Sequence, residues 1–140
     1  MSSRIEDRLA IEDLISRYNQ SLDSGDYPTW VACWTDDAVL DGLGKYLVGR
    51  EQIQQFADGY ESAYRSMINA LKHYTVNILS KVDGDKATSR SYLQLVNTGS
   101  KGVVIRFTGR YEDELRKVNG QWQFSRRTML QDMPPVAVSQ

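Results

Sequence analysis

One cysteine, one histidine and three prolines are spread over 140 residues, and each scarcity closes off a class of function. The lone Cys33 cannot build an internal disulfide framework and fits a reducing compartment. The lone His73 leaves no histidine cluster to hold zinc or iron, so its expected role is proton transfer. Imidazole, with an unperturbed pKa of about 6.5, is suited to that near neutral pH. An excess of charge is missing too. Seventeen basic against eighteen acidic side chains leave a net charge of −1, without the basic stripe that marks nucleic-acid binding. No run approaches the ~20 apolar residues needed to cross a bilayer, and the polar start, Met1 to Leu9, lacks the apolar stretch of a secretory signal. The expectation is a cytoplasmic protein with no nucleic-acid or membrane partner.

Several motifs are also absent. Gly42, Gly44 and Gly49 do not have dinucleotide-binding spacing, and no Gly-x-Ser-x-Gly elbow occurs. Asp36 and Asp37 have no further ligand at metal-binding spacing, so they are read as turn and cap residues. No metal and no cofactor is expected. What remains is 41% hydrophobic and 25% charged, the balance of a globular domain, and the length suits one unit spanning 1–140.

The first segment reads as a helix over about Arg4 to Leu22. Ile5, Leu9, Ile11, Leu14, Ile15, Tyr18 and Leu22 recur at helical spacing. Ser3 with Glu6 resembles a capping box, and Gly25 suits the left-handed residue that closes a helix. Asp26 then caps a short helix through Trp34, with Pro28 in its first turn. A brief strand Ala38–Asp41 and a second, Lys45–Val48, lead to a third helix from Gly49 bearing Ile53, Phe56, Ala57, Tyr60 and Tyr64. From about Ala70 the texture changes to four long strands joined by tight turns at Asp83-Gly84, Gly99–Gly102 and Asn119-Gly120. Pro134-Pro135 is the expected end of the last strand.

Helices followed by a long meander imply an α+β domain, and strands of this length must twist and coil. The predicted architecture is a cone: a strongly curved, antiparallel or mixed sheet with three helices packed on its concave face. Alternation places Val103, Ile105, Phe107, Gly109 and Tyr111 inward, with Leu93 and Leu95 opposite them. On the preceding strand His73, Thr75 and Asn77 share one face, and Tyr74, Val76 and Ile78 share the other. Adjacent Arg126 and Arg127 point to opposite faces, where surface pairing is expected.

The order of these features is helix, Asp23 at the helix end, Gly25-Asp26, Trp30 or Trp34, Asp36-Asp37-Ala38, then Lys72 through Asn77 and a meander. That order resembles the nuclear-transport-factor-2-like superfamily. Within it the chain looks like the SnoaL-like branch, which includes scytalone dehydratase, hexachlorocyclohexane dehydrochlorinase and bile-acid 7α-dehydratase. The resemblance covers about Ile5 to Leu130 and implies a SnoaL-like α+β barrel domain. It also implies an Asp–His dyad at Asp23 and His73, with Tyr18 five residues before the aspartate lining the same site. The dehydrochlorinase's cationic pair matches Tyr18 and Thr128 here, which argues against dehalogenation. The dehydratase's second histidine has no counterpart.

The candidate catalytic residues are therefore His73, Asp23 and Tyr18, and the candidate substrate wall is Leu40, Leu93, Leu95, Phe107 and Tyr111. Asp23 would accept the Nδ1–H of His73 and leave Nε2 to take a carbon-bound proton. The reading is a cofactor-independent lyase or isomerase, dehydratase-like, acting on a small apolar ring-containing molecule. A non-catalytic ligand-binding or assembly module of the same fold, and a polyketide-type cyclase, are the alternatives. Apolar residues on the convex face, Tyr74, Val76, Ile78 and Tyr92, together with the resemblance, imply a homodimer or homotrimer.

Overall fold

The structure, a computed structural model, describes residues 3–133; the Pro134-Pro135 terminator lies outside them. Helix α1 (Arg4–Ser24) starts where Ser3 accepts the Glu6 N–H at 3.1 Å and stops at Gly25, whose φ of 81° supplies the left-handed cap. Helix α2 (Tyr27–Ala32) is capped by Asp26, which accepts from the Thr29 N–H and hydroxyl. Strands β1 (Trp34–Gly42) and β2 (Lys45–Val48) form a hairpin, and α3 (Gly49–Tyr64) follows. After one 3-10 turn come the long strands β3 (Leu71–Asp83), β4 (Lys86–Gly99), β5 (Gly102–Val118) and β6 (Gln121–Gln131). Strand β1 begins earlier than expected, because Trp34, Thr35 and Ala38 are pulled into the core.

The six strands lie in the order β2-β1-β6-β5-β4-β3. The four long strands pair antiparallel in chain order, whereas β1 joins β6 in parallel. The sheet is mixed and open, with β2 and β3 as edges, so the expected cone is a curl rather than a closed barrel. Ile11, Leu14 and Ile15 from α1, Trp30 from α2 and Ile53 from α3 are buried with Trp34, Leu115 and Phe124 of the sheet. Full burial of side chains this large contributes about 1.5–3 kcal/mol each. The buried stripe of α1 runs through Asp7, Ile11, Leu14 and Tyr18, which leaves Ile5 and Leu9 exposed on the other side.

Bulges correct the simple alternation in three places. In β3 the register shifts between Val76 and Leu79, with Asn77 at a φ of 55°. Asn77 is thus exposed instead of sharing the His73 face, and Ile78 turns in against the core while Leu79 turns out. In β5 a shift beside Phe107 leaves Val103 and Ile105 exposed, contrary to their expected inward set. In β6 a shift around Ser125 makes Arg127, not Arg126, the successor of Phe124 on the inner face. A different kind of constraint fixes Gly109. A Cβ there would come within 2.7 Å of the Leu130 carbonyl oxygen, so only glycine allows β5 and β6 to approach so closely.

Candidate functional site

The last turn of α1 runs along the edge strand β3, and there Asp23 meets His73. The carboxylate Oδ1 lies 2.7 Å from the imidazole Nδ1, within the range of a direct hydrogen bond. Asp23 also accepts the backbone N–H of His73, at 3.1 Å to Oδ2. Because a carboxylate can only accept, this contact requires the proton on Nδ1, and in the neutral ring that leaves the lone pair on Nε2. Both side chains are about 10% exposed. An anion at a helix C-terminus opposes the helix dipole, and these hydrogen bonds offset that cost.

His73 forms part of the wall of a cavity of about 360 Å³ between α1, α3 and the concave face of the sheet. Tyr18, Leu40, Leu93, Leu95, Phe107 and Tyr111 line the same cavity, so the structure brings the expected wall together around the imidazole. Asp23 is the exception. It stands behind His73 and borders an outer polar groove between α1 and β3, beside Arg17, Asn19, Lys72 and Thr75. The roughly 140° between Tyr18 and Asp23 around the helix therefore needs no unwinding. Tyr18 looks into the cavity, Asp23 looks toward the strand, and His73 spans the two. At the groove side the Asn19 amide donates to the Thr75 hydroxyl at 2.8 Å.

Tyr18 packs among Trp30, Trp34, Tyr111 and Phe124, with ring centroids 5.4–6.4 Å away. Burial raises its pKa, and the nearby charge of Arg127 partly offsets the rise, so the phenol is a neutral donor at physiological pH. Burial likewise raises Tyr111 and Tyr60; the Asp23 charge adds to the rise at Tyr60.

Arg127 is the residue that the sequence pattern misplaces. It is fully buried, donates from Nε to Asp113 Oδ1 at 3.0 Å, and lies 3.4 Å from the Tyr111 ring and 4.4 Å from that of Tyr18. Beyond that ion pair the guanidinium interacts with the Tyr18 hydroxyl, and aromatic faces solvate the rest of the cation. Arg126, by contrast, pairs outside with Asp41 at 3.2 Å. The inward cation thus stands at 127. Asp36 and Asp37 also belong to ion pairs, with Arg50 at 2.7 Å and with Arg116, instead of a turn. Among the described residues no cluster of histidine, cysteine or carboxylates could hold a metal ion, and no helix is long and apolar enough to cross a membrane.

The sequence pattern also leaves several cavity residues unassigned. Phe56 and Tyr60 reach it from α3, Met129 from β6 and Lys45 from β2. The i, i+4 spacing of Phe56, Tyr60 and Tyr64 was a usable signal, since one helix face presents all three.

The sequence profile of the SnoaL-like domain matches residues 3–128. The chain belongs to the SnoaL-like family. Solved structures agree. The SnoaL-like chain is 30% identical to Rv3472, a protein of unknown function from Mycobacterium tuberculosis. The match covers 92% of this chain and 78% of that one, with a TM-score of 0.82. It is 32% identical to a protein from Novosphingobium aromaticivorans provisionally named an aromatic ring hydroxylase, over 95% of this chain and 94% of that one, at a TM-score of 0.73. A third similar structure, at 23% identity, 97% and 91% coverage and a TM-score of 0.78, is provisionally named a scytalone dehydratase from the same organism; at that identity it shows the fold alone. None of the functionally curated proteins matches the chain significantly.

Proposed function

We propose that this SnoaL-like protein is a cofactor-independent lyase or isomerase of a small, apolar, ring-bearing molecule, working in the cytoplasm. The observation that carries the reading is the 2.7 Å contact between Asp23 and His73 Nδ1 on the wall of an apolar cavity. Membership of the SnoaL-like family supports it.

In the proposed reaction Nε2 of His73 removes a proton from a carbon next to a carbonyl, and the C–H electron pair moves into the conjugated system. The resulting enolate oxygen accepts from the Tyr18 hydroxyl, and the buried Arg127 charge behind Tyr18 and Tyr111 favours that negative charge in a low-dielectric site. Collapse of the enolate either expels a β-hydroxyl, which leaves as water with the proton held on His73, or returns that proton to a different carbon. The first outcome is dehydration and the second isomerisation. Asp23 does not touch substrate. It is a positioning residue that fixes the tautomer and stabilises the imidazolium formed in the first step.

The test is a screen of the purified protein against hydroxylated and keto-bearing steroids, aromatics and polyketides, with His73→Ala as control. Turnover of one class by the native protein and none by His73→Ala is the expected result. Turnover that persists in His73→Ala, or a dyad protein inert toward every class, would sink the proposal in favour of a binding module.

A further inference from the structure

The mouth of the cavity is built unlike its walls. The β1–β2 hairpin turns on Leu43 and Gly44, with φ values of 54° and 73°, the two positive angles of the tightest hairpin turn. Asparagine, aspartate or glycine is the usual residue where leucine stands here. A leucine in the left-handed region is strained, yet the turn carries it, and its exposed side chain borders the cavity. The next residue is Lys45. Although exposed, it does not extend freely into water: its ammonium lies 5.3 Å from the centroid of Phe56, a cation–π contact that holds the charge at the rim. Among the described residues Lys45 makes no ion pair. No carboxylate among the described residues lines the cavity, and Lys45 is the one permanently charged side chain on its wall.

We propose that this hairpin tip is a specificity rim that selects ring-bearing substrates with an anionic oxygen group, an aromatic carboxylate being the simplest. The carboxylate pairs with Lys45 Nζ at the mouth, the ring lies between Leu43 and Phe56, and the acidic carbon reaches His73 further in. A cavity of about 360 Å³ is at the small end of ligand pockets, which limits the ligand to one to a few fused rings. A cation at the rim of an apolar site also attracts anions before contact, a salt-sensitive effect. The inference rests on the reading of this cavity as a substrate site and adds the charge class of what enters it.

Calorimetric titration of the full chain at pH 7 with 2-naphthoate and its neutral isostere 2-naphthamide tests the rim without requiring turnover. The native protein should bind naphthoate at least about 10-fold more tightly than the amide. Lys45→Met, which keeps the stem, should bind the two equally, and Lys45→Arg should retain the preference. Binding should shift the ring resonances of His73, the only histidine, which places the probe in the cavity. His73→Ala should keep the charge preference, which separates the two proposals. A preference that depends on Lys45 in a protein with no elimination activity leaves the rim standing and removes the lyase. Equal binding of both probes to the native protein, an unchanged preference in Lys45→Met, or no binding of either at millimolar concentration overturns the rim.

Discussion

Replacing Asp23 by asparagine changes one atom at a contact of 2.7 Å and removes a charge behind the proposed base. Two effects follow. The asparagine amide can turn its NH2 toward Nδ1, which then becomes an acceptor, so the ring proton moves to Nε2 and the lone pair facing the cavity is lost. Even in the correct tautomer, the imidazolium formed during proton abstraction lacks its counter-charge. Charges about 4 Å apart at an effective dielectric of about 20 attract by about 4 kcal/mol. A neutral hydrogen bond restores about 1 kcal/mol, which leaves a deficit near 3 kcal/mol, or roughly 10²-fold in kcat. KM should change little, because Asp23 does not line the cavity. The fold should persist, since the asparagine oxygen can still accept the His73 backbone N–H. Two assays check this. The first is steady-state turnover of the substrate class found by screening. The second is nitrogen NMR of the ring, uniquely assigned because there is one histidine. The native protein should show the Nδ1–H tautomer and the variant a shift toward Nε2–H. An Nε2–H tautomer in the native protein, or turnover within a few-fold of native in Asp23→Asn, would refute the positioning role.

Tyr18→Phe keeps the ring stack and removes one donor, so kcat should fall by about 10-fold for a lost hydrogen bond of about 1.4 kcal/mol. Thermal unfolding should barely change; a large stability loss would show that the hydroxyl serves the core instead. Arg127→Met leaves Asp113 buried without its cation, which should cost about 3–5 kcal/mol in urea unfolding. A loss within error would refute the pairing. Burial pushes Asp113 up to about 6, although the Arg127 charge opposes the rise. Its contribution to stability is therefore complete below the unfolded value of about 3.9 and lost as pH rises through 6. The stability difference between Asp113→Asn and the native protein should move in the variant's favour between pH 4 and pH 7, and movement the other way would contradict the burial argument. Finally, Tyr74, Val76 and Tyr92 are about half exposed on the convex face. Light scattering at micromolar concentration should report a dimer or trimer, and monomer alone would defeat that expectation.

The elements that were legible carry their signals locally. Ser3 and Gly25 bracket α1 because capping chemistry is read from single residues. Asn119-Gly120, with φ values of 51° and 79°, sets its hairpin for the same reason. The dyad was legible only through family resemblance, since 50 residues separate Asp23 from His73 and no local pattern links them. Bulges hid the rest. Nothing in the run Gln121 to Gln131 says that the register slips near Ser125, and that slip decides which of two adjacent arginines is buried. The parallel pairing of β1 with β6 is likewise a property of closing the core over Trp34 and Phe124. At Leu43 the hairpin itself was legible from the flanking Gly42 and Gly44, but a leucine gives no hint of its left-handed φ.

The His73 backbone N–H that Asp23 accepts belongs to β3, the open edge of the sheet. An unpaired edge is a template on which another chain can add a strand, and proteins protect such edges or aggregate. Here the end of α1 lies along that edge, and Asn69 donates its backbone N–H to the Asp23 carbonyl at 2.9 Å. The bulge at Asn77 breaks the regular ladder further along. By occupying the His73 donor of the edge strand, the Asp23 carboxylate also shields that stretch from strand addition. A substitution that keeps an acceptor, such as asparagine, leaves that shield in place, whereas alanine opens it. An acceptor at position 23 therefore meets a requirement of the sheet edge that holds whether or not the cavity does chemistry.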